Sequence, residues 1–215
     1  MHKPIIYQMI PRLWGNDNQN PVKDGSLTQN GTGKFSDIDT KTLEYLSWLG
    51  CSHVWYTGIL RHSTQASEGG CIPSHPQFVK GKAGSPYAIC DYYDVNAYLA
   101  DNAGDRMLEF EQLIKRTHNA GLKVIIDFVP NHVARDYGKV DMTPGHPVLG
   151  AEDDRSVHWR EENDFIYYPG EALRLPTESP KGIEPYYEMP AMATGNNCYT
   201  PAPGINDWFE TVKIN

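Results

Sequence analysis

Two stretches of helical periodicity are each followed, after a single glycine, by a short apolar run. In TLEYLSWLGCSHVWYTGI, residues 42–59, Leu43, Leu46 and Leu49 recur at helical spacing and Gly50 is the stop. Val54, Trp55 and Tyr56 then read as a strand. In MLEFEQLIKRTHNAGLKVIIDFVPNH, residues 107–132, Phe110, Leu113, Ile114 and Thr117 share a face, with Asp105 as cap and Gly121 as terminator. A buried strand follows from Lys123 to Val129. A further apolar run, PIIYQMI at 4–10, precedes both units. The order is therefore strand, helix, strand, an irregular excursion over 60–105, helix, strand. Such alternation predicts βα units feeding a parallel sheet whose strands are covered on both faces.

Beyond His132 the texture changes. Residues 134–205 hold nine of the 16 prolines, seven glycines and six tyrosines, with little periodicity. The aromatic content predicts a loop-rich subdomain rather than a disordered tail. The acidic runs near 152–154 and 161–164 read as solvated faces. A charge of −8 argues against a nucleic-acid or anionic-membrane partner. No stretch approaches the roughly 18 apolar residues of a membrane helix. The N-terminus, MHKPIIYQMIPRLW, shows no signal peptide, which makes the cytoplasm the default compartment. None of the four cysteines forms a C-x-x-C pair, and His75, His146 and His158 are too scattered to suggest a metal site.

Asp127 interrupts the apolar run of KVIIDFV. A carboxylate inside a strand is costly unless paired or hydrogen-bonded. Two readings stand equal: a structural Asp held by an Arg or by backbone donors, or a site residue at the C-terminal end of a barrel strand. Pro130, lacking an N–H, ends the strand. Asn131 and His132 then project from its mouth, where a lone His is more often hydrogen-bonded internally than bound to a ligand.

Five segments together resemble the α-amylase family of glycoside hydrolases. DFVPNH at 127–132 is similar to that family's first signature. SPYAICDYYDVN at 85–96 resembles its segment before the third strand. IIYQMIPRLW resembles its first strand, LEYLSWLGCSHVWYTGI its first helix and second strand, and INDWFETVKIN the return from its inserted domain. Where the family has Gly-Tyr-Asp, this chain has Pro86-Tyr87-Ala88, so only the tyrosine transfers. The resemblance implies an α/β fold: an incomplete (β/α)8 (TIM) barrel of the first three strands, with an inserted loop-rich subdomain after the third. Residues 1–133 would be barrel, 134–205 the inserted domain and 206–215 the return. It further implies that Tyr87 stacks on the sugar where the bond breaks and His132 hydrogen-bonds that sugar's hydroxyl. Asp127 would support the site through an Arg on the next strand, and Asn131 would bind a structural calcium. The substrate implied is an α-1,4-glucan or maltooligosaccharide, and HPQFVKGKAGSPYAI suggests a bacterial source.

Retaining hydrolysis needs two carboxyl groups about 5–5.5 Å apart. The resemblance places the nucleophile Asp and the acid Glu on the fourth and fifth strands, beyond Asn215, and no Gly-Phe-Arg-x-Asp-like segment occurs in residues 1–215. Asp91, Asp127 and Asp207 lie outside any segment resembling the nucleophile's strand. The chain is thus expected to be catalytically inactive alone, and poorly stable without the C-terminal half of the barrel. The alternative is a non-catalytic binding or accessory relative. The family's transporter heavy chains are one such group, but they carry a membrane anchor.

Overall fold

The computed structural model describes residues 3–139 and 141–215, so Met1 and His2 of the N-terminal stretch lie outside the described residues. The elements are, in order, β1 (Ile6–Met9), α1 (Leu27–Asn30), α2 (Thr40–Trp48), β2 (His53–Tyr56), β3 (Leu60–His62), β4 (Ile89–Val95), α3 (Arg106–Asn119), β5 (Lys123–Ile126), β6 (His132–Ala134), β7 (Tyr167–Tyr168), β8 (Ala191–Met192) and β9 (Thr211–Lys213). They fall into two compact units. One runs to Arg61 and takes in Ala66–Cys71 and Asp94–Phe128; the other comprises His62–Gln65, Ile72–Tyr93 and Val129–Asn215.

In the first unit β1, β2 and β5 form a parallel sheet with β2 in the centre. The register sets Tyr7, Val54 and Val124 side by side, then Met9, Tyr56 and Ile126. Each connection carries a helix, as parallel pairing requires. Helix α2 starts at Asp39, whose carboxylate accepts from Thr42 N at 2.8 Å. Leu43 and Leu46 are buried as their spacing predicts, but Leu49 is 48% exposed. The helix ends at Trp48, so Leu49 sits in the cap position just before Gly50 turns left-handed at φ 88°. Helix α3 buries Phe110, Leu113 and Thr117, with Ile114 packed beside them. Asp105 stands at its N-cap, as expected, but its side chain makes no capping bond. Its carboxylate is held instead by Asn102 Nδ2 at 2.5 Å, while Glu109 accepts from Asp101 N and Asn102 N, both at 2.8 Å.

The sheet departs from the expectation of two covered faces. Val54 and Tyr56 are buried among Leu43, Leu46, Phe110 and Leu113. Ile6, however, is 48% exposed, Ile126 41% and Phe128 76%. Among the described strands β1 and β5 each pair with β2 alone, so both edges are open. The excursion over 60–105 is also more ordered than expected, since β4 supplies seven strand residues. Its acids obscured the pattern, and each is neutralised or saturated. Asp91 accepts from Tyr93 N, Thr143 N and Thr143 Oγ1 at 2.7–2.8 Å. Asp94 takes a bidentate bond from Arg106 at 2.6 and 2.9 Å.

The second unit is loop-rich. Its core gathers Val133, Tyr137, Phe165, Tyr167 and Val212 around short antiparallel pairs, β6 with β9 and β7 with β8. Arg135, 1% exposed, is held at each of its three nitrogens: Nη1 donates to Glu188 Oε1 at 2.6 Å, Nε to Phe209 O at 2.6 Å and Nη2 to Thr211 O at 3.0 Å. Glu188 also accepts from Met192 N at 2.9 Å and Tyr186 OH at 3.0 Å. The acidic runs near 152–154 and 161–164 are not simply solvated. Asp153 accepts from Asp164 N, Phe165 N and Tyr167 OH within 3.0 Å, and Asp164 accepts from Gly150 N at 2.7 Å. A loop without a backbone ladder satisfies its N–H groups with carboxylates.

Candidate functional site

Strand β5 ends at Ile126, three residues before the expected end at Val129. Asp127 is therefore not inside the strand but immediately past its C-terminal residue. Its Oδ1 accepts from Trp55 Nε1 at 3.0 Å, and its Oδ2 is shut from solvent with no hydrogen-bond partner among the described residues. The indole belongs to β2, the neighbouring strand, which puts donor and acceptor at adjacent strand ends. The structural reading of Asp127 loses its expected partners, since among the described residues neither an Arg nor a backbone donor bonds it. Trp55 was missed because nothing in a β-rich apolar run marks an indole N–H as a partner for a carboxylate 72 residues later.

The second unit brings Tyr87, Asn131 and His132 together. His132 opens β6 and is 7% exposed. Its Nε2 lies 3.1 Å from Tyr87 O, and its Nδ1 lies 3.0 Å from Asn131 Nδ2. Burial lowers its pKa, the bond to Tyr87 opposes that shift, and the Lys213 charge adds to it. The ring is thus neutral at neutral pH. Trp208 packs edge-on against it with centroids 4.4 Å apart and planes at 62°. Trp208 is itself anchored by Nε1 to Glu210 Oε1 at 2.6 Å, and buried Glu210 also accepts from Lys80 N at 2.7 Å. Trp208 and Glu210 lie within INDWFETVKIN, but their partners could not be read from spacing.

Asn131 makes three side-chain bonds. Nδ2 donates to Gly195 O at 2.9 Å as well as to the imidazole, and Oδ1 accepts from Lys213 Nζ at 2.5 Å. Gly195 approaches so closely that a Cβ would fall 2.2 Å from Thr211 Oγ1 and 2.9 Å from His132 Cβ. The calcium assigned to Asn131 by resemblance does not fit this arrangement. A hard cation requires six or more oxygens, and the one side-chain oxygen here already faces an ammonium. Among the described residues no group of three or more His, Cys, Asp or Glu could hold a metal. An open cleft of about 360 Å³ adjoins the site, lined by Pro130, Asn131, Ile166, Tyr199, Lys213 and Ile214.

The family profile described as alpha amylase, catalytic domain, matches residues 21–165. The chain belongs to the alpha-amylase family. It is 23% identical over 133 residues to the 1,4-alpha-glucan branching enzyme GlgB of Deinococcus radiodurans, covering 62% of this chain and 16% of that protein. It is 28% identical over 129 residues to the amino acid transporter heavy chain SLC3A1 of Homo sapiens, covering 60% of this chain and 14% of that one. The chain thus spans about a sixth of the length of the curated alpha-amylase relatives it matches. The solved trehalose-6-phosphate hydrolase of Bacillus licheniformis superposes on 99% of the chain and 30% of its own, with a TM-score of 0.50 at 20% identity. The alpha-amylase fold found here is accordingly part of a (β/α)8 barrel. Among the described residues no helix is long and apolar enough to cross a membrane.

Proposed function

We propose that these residues form the sugar-gripping part of a retaining hydrolase that acts on α-1,4-glucans or maltooligosaccharides. The observation that carries the reading is the junction of Tyr87 and His132, with His132 Nε2 3.1 Å from Tyr87 O. A pyranose would stack on the tyrosine ring, and the neutral imidazole would offer one hydrogen bond to a hydroxyl. In this reading residues 1–133 belong to the barrel, 134–205 to an inserted domain and 206–215 to the return. Asp127 is the supporting carboxylate, its buried Oδ2 lacking a donor among the described residues. The nucleophile and acid are not assigned within residues 1–215. Asp91 is 0% exposed and saturated by three donors, and Asp207 is committed to Gly204 N and Asn196 Nδ2 at 2.7 and 3.0 Å.

The experiment is a maltotriose titration of the isotope-labelled chain followed by NMR. Saturable shifts at Tyr87 and His132, abolished in Tyr87→Ala, are expected. Hydrolysis of maltotriose or starch by the chain above a blank is not expected, and its appearance would overturn the absence of the catalytic pair. A second reading is a non-catalytic relative. The engagement of both His132 ring nitrogens within the protein favours it, since that geometry suits an ordered structural histidine. Absence of any maltotriose-induced shift would select it.

A further inference from the structure

The side chains of Asn131 and His132 meet groups whose hydrogen-bonding sign is fixed. Lys213 Nζ can only donate, and it stands 2.5 Å from Asn131 Oδ1. Gly195 O can only accept, and it stands 2.9 Å from Asn131 Nδ2. These two neighbours leave the amide one orientation. The reverse would set Oδ1 against a carbonyl and Nδ2 against an ammonium. Nδ2 therefore aims its second hydrogen at His132 Nδ1, 3.0 Å away, and a nitrogen that accepts there carries no proton. The other ring nitrogen faces Tyr87 O at 3.1 Å, an acceptor, so the proton resides on Nε2.

The fold puts Lys213 in place to do this. Strands β6 and β9 are antiparallel, and His132 and Lys213 are directly opposite each other in the ladder. Side chains so paired emerge on the same face. The edge of Trp208 closes another side of the imidazole. Lys213 is the cation acting on the ring, and the Glu210 carboxylate accepts from Trp208 Nε1.

We propose that Lys213 is a positioning residue: with the Gly195 carbonyl it orients the Asn131 amide, and the amide holds His132 as the Nε2–H tautomer directed at Tyr87. His132 then presents a donor and no basic nitrogen on that side. A ligand hydroxyl that displaces the Tyr87 carbonyl must accept from it. This last consequence rests on the saccharide reading; the tautomer does not.

The test is the ¹⁵N spectrum of the imidazoles of the 215-residue chain at a pH above the ordinary histidine range, with His132 assigned by His132→Gln. Wild type is expected to show a protonated Nε2 and a bare Nδ1. Lys213→Arg should keep that pattern, and Lys213→Met should draw the two nitrogen resonances together. Asn131→Asp, the same shape but acceptor only, should move a proton onto Nδ1. A wild-type ring protonated on Nδ1 overturns the proposal, and so does a folded Lys213→Met chain with an unchanged spectrum. Should Lys213→Met lose the native amide spectrum, an Asn131→Asp ring still bare at Nδ1 overturns it alone. Maltotriose that shifts neither Tyr87 nor His132 removes the saccharide reading and leaves the tautomer untouched.

Discussion

Gly195 shows how little room surrounds Asn131 and His132. A methyl group there would overlap a threonine hydroxyl and crowd the His132 Cβ. Gly195→Ala should therefore cost about 1–3 kcal/mol, the scale of overpacking in a filled site, as measured by urea unfolding. Histidine 132 also links this locus to pH. Burial holds its folded pKa below the unfolded value of about 6.5. Between the two values the unfolded chain binds more protons, so stability rises with pH. The contribution is complete above about 6.5 and is lost as pH falls through the folded value. A His132→Gln chain should show a flatter stability profile across that window. The ion pair of Arg135 and Glu188 is the other local determinant. Removing one partner by Glu188→Gln should cost about 3–5 kcal/mol, because it leaves a guanidinium buried without its counter-charge; a Glu188→Gln chain that melts with wild type would contradict that role.

At the scale of elements, helix α2 separates two leucines that look equivalent. Leu46→Ala should destabilise by about 2–5 kcal/mol, since it opens a cavity beneath the sheet. Leu49→Ala should stay within about 0.5 kcal/mol, because Leu49 lies in the cap and half of it meets water. Paired denaturant titrations would check both. Periodicity in the sequence reaches only part of this architecture. The βα alternation, the face of α3 and the β2 and β5 strands were legible from apolar spacing alone. Leu49 was misplaced because a helix end is decided by the left-handed Gly50 and not by the next apolar residue. Strand β4 was hidden because Asp91 and Asp94 sit on its pattern, and Thr143 and Arg106, which bond them, lie in other segments. The site shows the same division. DFVPNH singled out Asp127, Asn131 and His132. The bonds from Trp55 to Asp127 and from Lys213 to Asn131, and the contact of Trp208 with His132, join residues too distant in sequence for any local period to register.

At the scale of the molecule, the first unit offers a parallel sheet whose two edge strands pair, among the described strands, with β2 alone. Ile126 and Phe128 lie exposed at the end of β5, in an apolar segment. Such an edge templates association. Phe128→Asp should lower concentration-dependent assembly in sedimentation velocity without changing the unfolding midpoint, and unchanged assembly would place the contact elsewhere. Beside that edge stands Asp127, one oxygen tied to an indole and the other sealed away without a donor among the described residues. A strand laid alongside in one register can bring a donor to that atom, whereas a slip of one residue turns the donor to the opposite face. The slipped pairing would leave that acceptor unsatisfied. A neighbour that supplied a donor to this oxygen would relieve a buried, unsatisfied acceptor, so the cost of burial bears on which pairing forms.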